Sequence, residues 1–219
     1  MKRLFIVVEG QTEEEFVNEL LSPYLNTFGI YDVRATKITT SKGHKGGFVN
    51  YIHLKNDVTR LLKQSNKDVI VTTFVDFFRL PTSIPEYENI AEKPTKQDVL
   101  KHLEEAIEKD INDHRFIPYI QMHEFEALLF SSTKGFSTYY ENEKNVIKGV
   151  AKILSEFSNP EDINSNRPPS YRIKELTVNY DKIVYGNIIA LEIGIETILE
   201  KCPRFNIWVQ KLISKMQTV

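Results

Sequence analysis

The sequence predicts an α/β fold in which a mostly parallel central sheet is flanked by helices and followed by a helical C-terminal subdomain. First, three short apolar runs, residues 4–8, 69–75 and 115–122, alternate with helical patterns, as buried strands of a parallel sheet do. Second, 219 residues with 41% hydrophobic and 26% charged side chains suit an ordinary globular domain. We expect a core of residues 1–130 with a helical subdomain, residues 131–219, packed on it.

The first strand and the helix after it begin the alternation of strands and helices. The apolar run at residues 4–8 is followed by a helical pattern that Gly29 ends. Thr12 and Glu15 predict a capping box at the start of this helix. The alternation over residues 31–39 predicts a second strand, nearer the edge of the sheet.

The middle of the chain continues the alternation of strands and helices. The glycine-rich segment 41–47 is expected to be a flexible loop, and residues 50–64 show the spacing of a helix. A buried strand at 69–75, a helix that begins at residue 95 or 96 and a strand at 115–122 follow. This order predicts parallel strands joined by right-handed crossovers.

The C-terminal third has a different character. Amphipathic patterns predict helices over residues 144–158, 188–199 and 205–216, and the proline-containing segment 159–170 is expected to be rich in turns. The side chains of Cys202, Phe205 and Trp208 recur at helical spacing, which predicts core positions.

Composition excludes several classes of protein. The single cysteine rules out an intramolecular disulfide framework and a cysteine-only zinc cluster. The first apolar run, about five residues, is too short for a signal peptide or a membrane span, so we expect a cytoplasmic protein without membrane contact. The net charge of -2 supplies no global field that would attract nucleic acid, and the five histidines lack zinc-hydrolase spacing.

Acidic residues follow three of the predicted strands. They are Glu9, Asp76 and the pair Glu124 and Glu126, and Glu13 lies one helical turn after Glu9. Because the carboxyl ends of parallel strands meet at one edge of the sheet, these carboxylates should converge there and attract Mg²⁺, Mn²⁺ or Ca²⁺. Magnesium is our first choice. The alternative is that Glu13 only suits a helix N-terminus and that the others are solvated loop residues.

Four motifs carry a resemblance to a known family. They are V-E-G-Q-T-E at 8–13, F-V-D-F-F-R-L-P at 74–81, H-E-F-E-A-L-L-F at 123–130 and C-P-R-F-N-I-W at 202–208. Together they resemble a bacterial family catalogued as domain of unknown function 4276, over nearly the whole chain. That family is similar to the TOPRIM superfamily, the metal-binding fold of topoisomerases, primases and the overcoming-lysogenization-defect nucleases.

The resemblance implies a site and a function. It matches Glu9 to the superfamily's glutamate after the first strand, Glu13 to the second acid of E-x-x-x-E and Asp76 to the first aspartate of D-x-D. It implies a Mg²⁺- or Mn²⁺-dependent nuclease acting on DNA or RNA, an effector of phage defence with a partner ATPase. Whether the chain forms a homo-oligomer is left open.

One position departs from the superfamily pattern. Phe78 stands where the second aspartate of D-x-D is expected, so one metal ligand is missing there. Glu124 or Glu126 could replace it from the neighbouring strand end. We slightly favour Glu126, because Glu124 could instead cap or face the adjacent helix.

Phosphodiester hydrolysis would also need a cation near the transition state. Lys182 is the preferred catalytic residue beside Glu9 and Asp76, because TOPRIM nucleases resembling this chain place a lysine late in the sequence. Arg172 and the glycine-segment residues Lys42 and Lys45 are further candidates for contacts with phosphate or the nucleic-acid backbone.

Two other functions compete with a nuclease. The first is a non-catalytic binding or regulatory subunit that kept the fold and lost a ligand at Phe78. The second is a phosphatase or nucleotidyl-transferring enzyme that acts on a small phosphate substrate.

Overall fold

The computed structural model describes residues 2–41, 44–45, 47–64, 68–163, 166–178 and 180–218, with the backbone alone at 41, 44 and 45. The strands in these ranges are β1 (Arg3–Val8), β2 (Val33–Lys37), β3 (Thr39–Ser41), β4 (His44–Lys45), β5 (Val69–Asp76), β6 (Phe116–Ile117) and β7 (Ile120–Gln121). Five of them form a parallel sheet in the order β2-β1-β5-β6, with β7 also paired to β5. The predicted α/β class with a parallel sheet is confirmed.

The helices flank this sheet and form the C-terminal part. They are α1 (Gln11–Phe16), α2 (Ser22–Asn26), α3 (Tyr51–Gln64), α4 (Lys96–Ile111), α5 (Lys134–Tyr139), α6 (Lys144–Glu156), α7 (Pro169–Leu176), α8 (Lys182–Ile193), α9 (Ile195–Lys201) and α10 (Pro203–Gln217). A π-helical stretch, Val17–Leu21, joins α1 to α2, and 3₁₀ turns cover Tyr87–Glu92, Phe125–Ser131 and Pro160–Asp162. No helix in the described ranges is both long and apolar enough to cross a membrane.

Two predictions for the first 50 residues were wrong. The capping box at Thr12 does not form, because the helix begins earlier, after Gly10 in extended conformation, and Thr12 lies inside α1. The segment 41–47, expected to be a loop, contributes to the antiparallel pair β3–β4, in which Thr39 lies opposite Lys45. Lys42, Gly43 and Gly46 lie outside the described residues.

Proline and glycine divide two elements that the sequence predicted as continuous. Pro118 separates β6 from β7, since proline cannot donate a ladder hydrogen bond. The hydroxyl of Thr73 spans this break, accepting from the backbone nitrogen of Tyr119 and donating to its carbonyl oxygen, both at 2.8 Å. Gly194, at φ 84°, divides the helical region into α8 and α9.

The C-terminal part contains one helix that begins earlier than predicted and one that was not predicted. Helix α8 begins at Lys182, six residues before the predicted start at 188, and α7 begins within the segment 159–170 that was expected to be rich in turns. The starts of both helices lie beside the acidic residues at the carboxyl end of the sheet.

Hydrophobic cores lie on both faces of the sheet. The alternating side chains of β1 divide between them: Leu4, Ile6 and Val8 join the core that contains the C-terminal helices, whereas Phe5 and Val7 join the core with α3 and α4. Residues from the first and the last thirds of the chain therefore share one core.

Aromatic rings fill the centre of the shared core. The Tyr119 and Trp208 rings stack with centroids 4.5 Å apart, and the Trp208 indole nitrogen donates to the Thr72 hydroxyl at 2.9 Å. Phe205 and Cys202 are fully buried beside them. The core positions predicted for Cys202, Phe205 and Trp208 are confirmed, and they fix α10 against the sheet.

A buried carboxylate holds the start of α10. Glu161 accepts hydrogen bonds from the backbone nitrogens of Arg204 at 2.8 Å and Phe205 at 3.1 Å, which satisfies two donors that a helix N-terminus leaves free. The side chain has no exposure to solvent, and this burial raises the pKa of Glu161 to about 7 despite the two bonds.

Replacing Glu161 should change how stability depends on pH. Because the carboxyl pKa is higher in the folded than in the unfolded chain, its stabilising contribution is complete below about pH 4.5 and is lost as the pH rises through about 7. Relative to Glu161→Gln, the wild-type protein should lose about 2 to 3 kcal/mol of unfolding free energy between pH 5 and 8. Urea unfolding across this range measures the difference, and parallel curves for the two proteins would contradict it.

Candidate functional site

The carboxyl end of the sheet gathers acidic side chains from separate elements. Glu9 follows β1 directly, and Asp76 is the last residue of β5, the strand paired with β1. Glu126 lies in the 3₁₀ turn after β7, and Glu13 lies in α1. We call these four residues the acidic cluster.

Lys182 lies among these carboxylates. Its Nζ is 3.0 Å from Glu13 Oε1, 3.3 Å from Asp76 Oδ2 and 3.4 Å from Glu126 Oε2. Glu9 lies beside them, with its Oε2 accepting a long 3.4 Å hydrogen bond from the backbone nitrogen of Asp76. One ammonium thus joins three elements that are far apart in the sequence.

The position of Lys182 is unfavourable for a cation in a helix. It is the first residue of α8, where the helix dipole is positive. The adjacent Asp181 caps the same helix, its Oδ1 accepting from the nitrogens of Ile183 at 2.8 Å and Val184 at 3.1 Å. The carboxylates of the acidic cluster therefore offset a placement that helix electrostatics alone would disfavour.

Burial and mutual repulsion shift the pKa values of the acidic cluster. Burial raises the pKa of Asp76 well above its ordinary value, although Lys182 counteracts part of this effect. Burial, and then the charge of Glu13, raises the pKa of Glu9, and burial also raises that of Glu126. Burial alone would lower the pKa of Lys182, but Asp76, Glu126 and Glu13 together raise it well above the usual value. The ammonium stays protonated, and the cluster favours additional positive charge.

Glu124 has a different role from Glu126. Its two carboxylate oxygens accept from Ser170 in the first turn of α7, from the backbone nitrogen at 2.9 Å and from the hydroxyl at 3.0 Å. Glu126 instead faces Lys182. The two acids that the sequence left as alternatives are therefore engaged with different helices.

The carboxylate oxygens of the acidic cluster suit a hard divalent cation, although the positive charge that lies among them is Lys182. Across the described ranges, no three His, Cys, Asp or Glu side chains are arranged to hold a metal ion. Asp76 Oδ1 and Glu126 Oε2 are nevertheless buried without a hydrogen-bond partner among the described residues, the latter meeting Lys182 only as an ion pair. Buried carboxylate oxygens without a hydrogen-bond partner are suitable ligands for Mg²⁺ or Mn²⁺.

Glu9, Asp76 and Glu126 of the acidic cluster line a cavity of about 670 Å³. Residues that sequence analysis had not singled out also line it, namely Arg79, Pro168, Ser170, Tyr171, Lys174, Tyr180, Asp181 and Ile183. Burial raises the pKa of Tyr180, and its hydroxyl has no hydrogen-bond partner among the described residues. Two signals were available in the sequence: Arg79 lies in the motif at 74–81, and Tyr180 and Asp181 precede Lys182 directly. The remaining residues reach the cavity only through folding.

The other predicted cationic residues lie away from the acidic cluster or are not among the described side chains. Arg172 Nε donates to the carbonyl oxygen of Arg167 at 2.9 Å, and the guanidinium lies 5.1 Å from the Phe157 ring centroid, so it is not brought to the cluster. Lys42 lies outside the described residues, and only the backbone of Lys45 is described. Phe78, at the position of the missing aspartate, lies at the edge of the cavity.

Known proteins match this chain over most of its length. A family profile described as "Domain of unknown function (DUF4276)" matches residues 8–213. Structures of the C-terminal region of the Xanthomonas campestris pv. campestris OLD protein are similar at 13% identity. One covers 99% of this chain and 95% of that chain with a TM-score of 0.48, and another 98% and 92% with 0.49. No relative was found among curated proteins.

Replacing Lys182 by methionine tests whether its charge holds the cluster together. Lys182→Met keeps the length of the side chain and leaves Glu13, Asp76 and Glu126 without their cation, so unfolding free energy should fall by about 1 to 3 kcal/mol at neutral pH without divalent metal. This is less than for a fully buried pair, because the lysine side chain is 35% exposed. Urea unfolding measures the loss.

Lys174 supplies the matched control. It is exposed and lines the same cavity, so Lys174→Met should change stability by no more than about 0.5 kcal/mol. Equal stability of Lys182→Met and the wild-type protein would show that the ion pairs contribute nothing to the fold.

Proposed function

We propose that this chain, which belongs to the DUF4276 family, is a TOPRIM-type nuclease that hydrolyses phosphodiester bonds with Mg²⁺ or Mn²⁺. The observation that carries the proposal is the contact of one ammonium with three buried carboxylates at the carboxyl end of the sheet, where Lys182, Asp76 and Glu126 line an open cavity. Ligands of open α/β sheets bind at this edge. The sequence resemblance to TOPRIM nucleases supports the same chemistry.

The acidic cluster would hold the divalent ion. Glu9, Glu13, Asp76 and Glu126 provide only hard oxygen donors, and two of their buried oxygens lack a hydrogen bond within the described ranges. When bound, such an ion supplies a Lewis acid for the phosphate and a means of activating water. The residues of the acidic cluster would determine where the ion binds.

Lys182 would contribute a fixed positive charge beside the phosphate. Its raised pKa keeps the ammonium protonated, and its partial exposure leaves it accessible from the cavity. An ammonium has three donors, so it can bind a phosphate oxygen while still contacting a carboxylate. A charge already in place stabilises the developing negative charge without reorganising at the moment of reaction.

Glu124 would act as a positioning residue. It fixes the first turn of α7 through Ser170, and Pro168, Ser170 and Tyr171 line the cavity. This bond would hold the start of α7 against the 3₁₀ turn that carries Glu126, and both contribute residues to the cavity. We further propose, from the family resemblance alone, that the enzyme is an effector of phage defence that acts with a partner ATPase.

A second candidate is a non-catalytic subunit that binds nucleic acid or regulates a partner. Two observations favour it: Phe78 replaces the second acid of D-x-D, and Lys182 already neutralises part of the cluster. Such a protein would bind polynucleotides without cutting them.

A cleavage assay separates the two candidates. The wild-type protein should cut at least one of single-stranded DNA, double-stranded DNA, messenger RNA and transfer RNA in Mg²⁺ or Mn²⁺. Glu13→Gln and Asp76→Asn should reduce the rate at least about 100-fold, because each replaces a negatively charged carboxylate of the cluster by a neutral amide.

Glu14→Gln is the matched control for Glu13→Gln. Glu14 is the next residue of α1 and forms its ion pair with Lys37 at 2.6 Å, so its substitution should leave the rate nearly unchanged. Wild-type cleavage that persists in Glu13→Gln and Asp76→Asn would refute the assigned site. Binding without cleavage would favour the non-catalytic subunit.

A further inference from the structure

A second, smaller pocket adjoins the acidic cavity. It has a volume of about 200 Å³, and its lining includes Phe77, Phe78, Arg79, Tyr87, His123 and Pro168. Phe78, Arg79 and Pro168 also line the acidic cavity, so the two spaces share a boundary. We call this smaller space the aromatic pocket.

Cationic groups lie close to two of the aromatic rings that line the aromatic pocket. Phe78 is 39% exposed, and the guanidinium carbon of Arg79 lies 5.1 Å from the centroid of its ring. Lys96 Nζ lies 4.9 Å from the centroid of Phe77. Aromatic faces next to positive charge are the surfaces on which proteins stack the bases of single-stranded nucleic acids.

The backbone around Phe78 is held in an uncommon conformation. Arg79 and His123 both have left-handed conformations, with φ of 63° and 65°, which residues other than glycine seldom adopt. The backbone nitrogen of Phe78, the residue before Arg79, donates to the carbonyl oxygen of His123 at 2.8 Å. Strain of this kind persists where the surrounding structure holds it, and it often marks a functional site.

His123 adds a polar side chain to the aromatic pocket. It is buried and lines the pocket together with Phe78 and Arg79. The nitrogens of an imidazole ring can donate or accept a hydrogen bond, which suits the edge of a nucleobase.

We propose that the aromatic pocket receives one unpaired base of a single-stranded nucleic acid whose adjoining phosphate enters the acidic cavity. The inference rests on the proposed function, because it assigns the substrate of that same site. Pockets for drug-sized ligands begin at roughly 300 Å³, so the smaller volume here suits one base. Phe78, which replaces a metal ligand of the superfamily pattern, is thereby assigned to substrate recognition.

Fluorescence anisotropy with labelled oligonucleotides tests the proposal. The probes are a short single strand, as DNA and as RNA, and the same strand with abasic sites, in Ca²⁺, with a gel showing that the strands stay intact. Wild-type protein should bind the strand with bases more tightly. Phe78→Ala should weaken that binding about tenfold and abolish the preference, whereas Phe78→Trp should retain it.

Tyr31→Ala is the control for loss of an exposed ring. Tyr31 is 65% exposed and precedes β2, whose first residue pairs near the start of β1, at the opposite end of the sheet from the acidic cluster. This substitution should not alter binding. Thermal unfolding of each variant checks that the fold is intact.

The outcomes separate this inference from the proposed function. Unchanged binding and base preference in folded Phe78→Ala, or no binding of any strand by wild type, would overturn the aromatic pocket as a base site. Adenosine monophosphate that bound as tightly as the strand would also overturn it, in favour of a free nucleotide. If the wild-type protein cleaves nucleic acid and Phe78→Ala keeps its binding affinity and base preference, only the base site is refuted. If binding depends on the bases but no cleavage occurs, only the nuclease is refuted.

Discussion

The contact between Lys182 and the buried carboxylates is the interaction on which the carboxyl end of the sheet depends. Asp76, Glu13 and Glu126 would repel one another without a cation, and burial already raises the pKa values of Asp76 and Glu126. Water screens such repulsion poorly at buried positions. Lys182 supplies the charge even though it occupies the first turn of a helix, where a cation is unfavourable. Its position is therefore explained by the chemistry of the site better than by the stability of α8.

The fold brings Lys182 there by packing the C-terminal helices against the sheet. The side chain of Asn187 in α8 donates to the carbonyl oxygen of Thr12 at 3.2 Å and to Glu15 Oε2 at 3.1 Å, which holds α8 beside the helix that carries Glu13. The sheet thus provides Glu9 and Asp76, and the C-terminal part completes the site. The family match over residues 8–213 accordingly includes both the sheet and the C-terminal helices.

Sequence patterns predicted the parts of this arrangement that depend on local order. Continuous apolar runs identify β1 and β5, and the end of each parallel strand places Glu9 and Asp76 at one edge. Sequence patterns could not show that Glu124 binds Ser170 while Glu126 faces Lys182, because those contacts join elements that are distant in the sequence. Local signals also failed where tertiary contacts decided the outcome, as in the early start of α8. Phe78 was visible only as a missing ligand, since its pocket forms by folding.

Thermal unfolding of the wild-type protein and Asp76→Asn, with chelator and with millimolar Mg²⁺ or Mn²⁺, tests the central claim that the acidic cluster binds a divalent cation. A ligand that binds only the folded state raises the melting temperature, so the metal should stabilise the wild type and have little effect on Asp76→Asn. This experiment requires no knowledge of the substrate. An unchanged wild-type melting temperature, or an equal rise in both proteins, would contradict the assignment of the metal to this cluster.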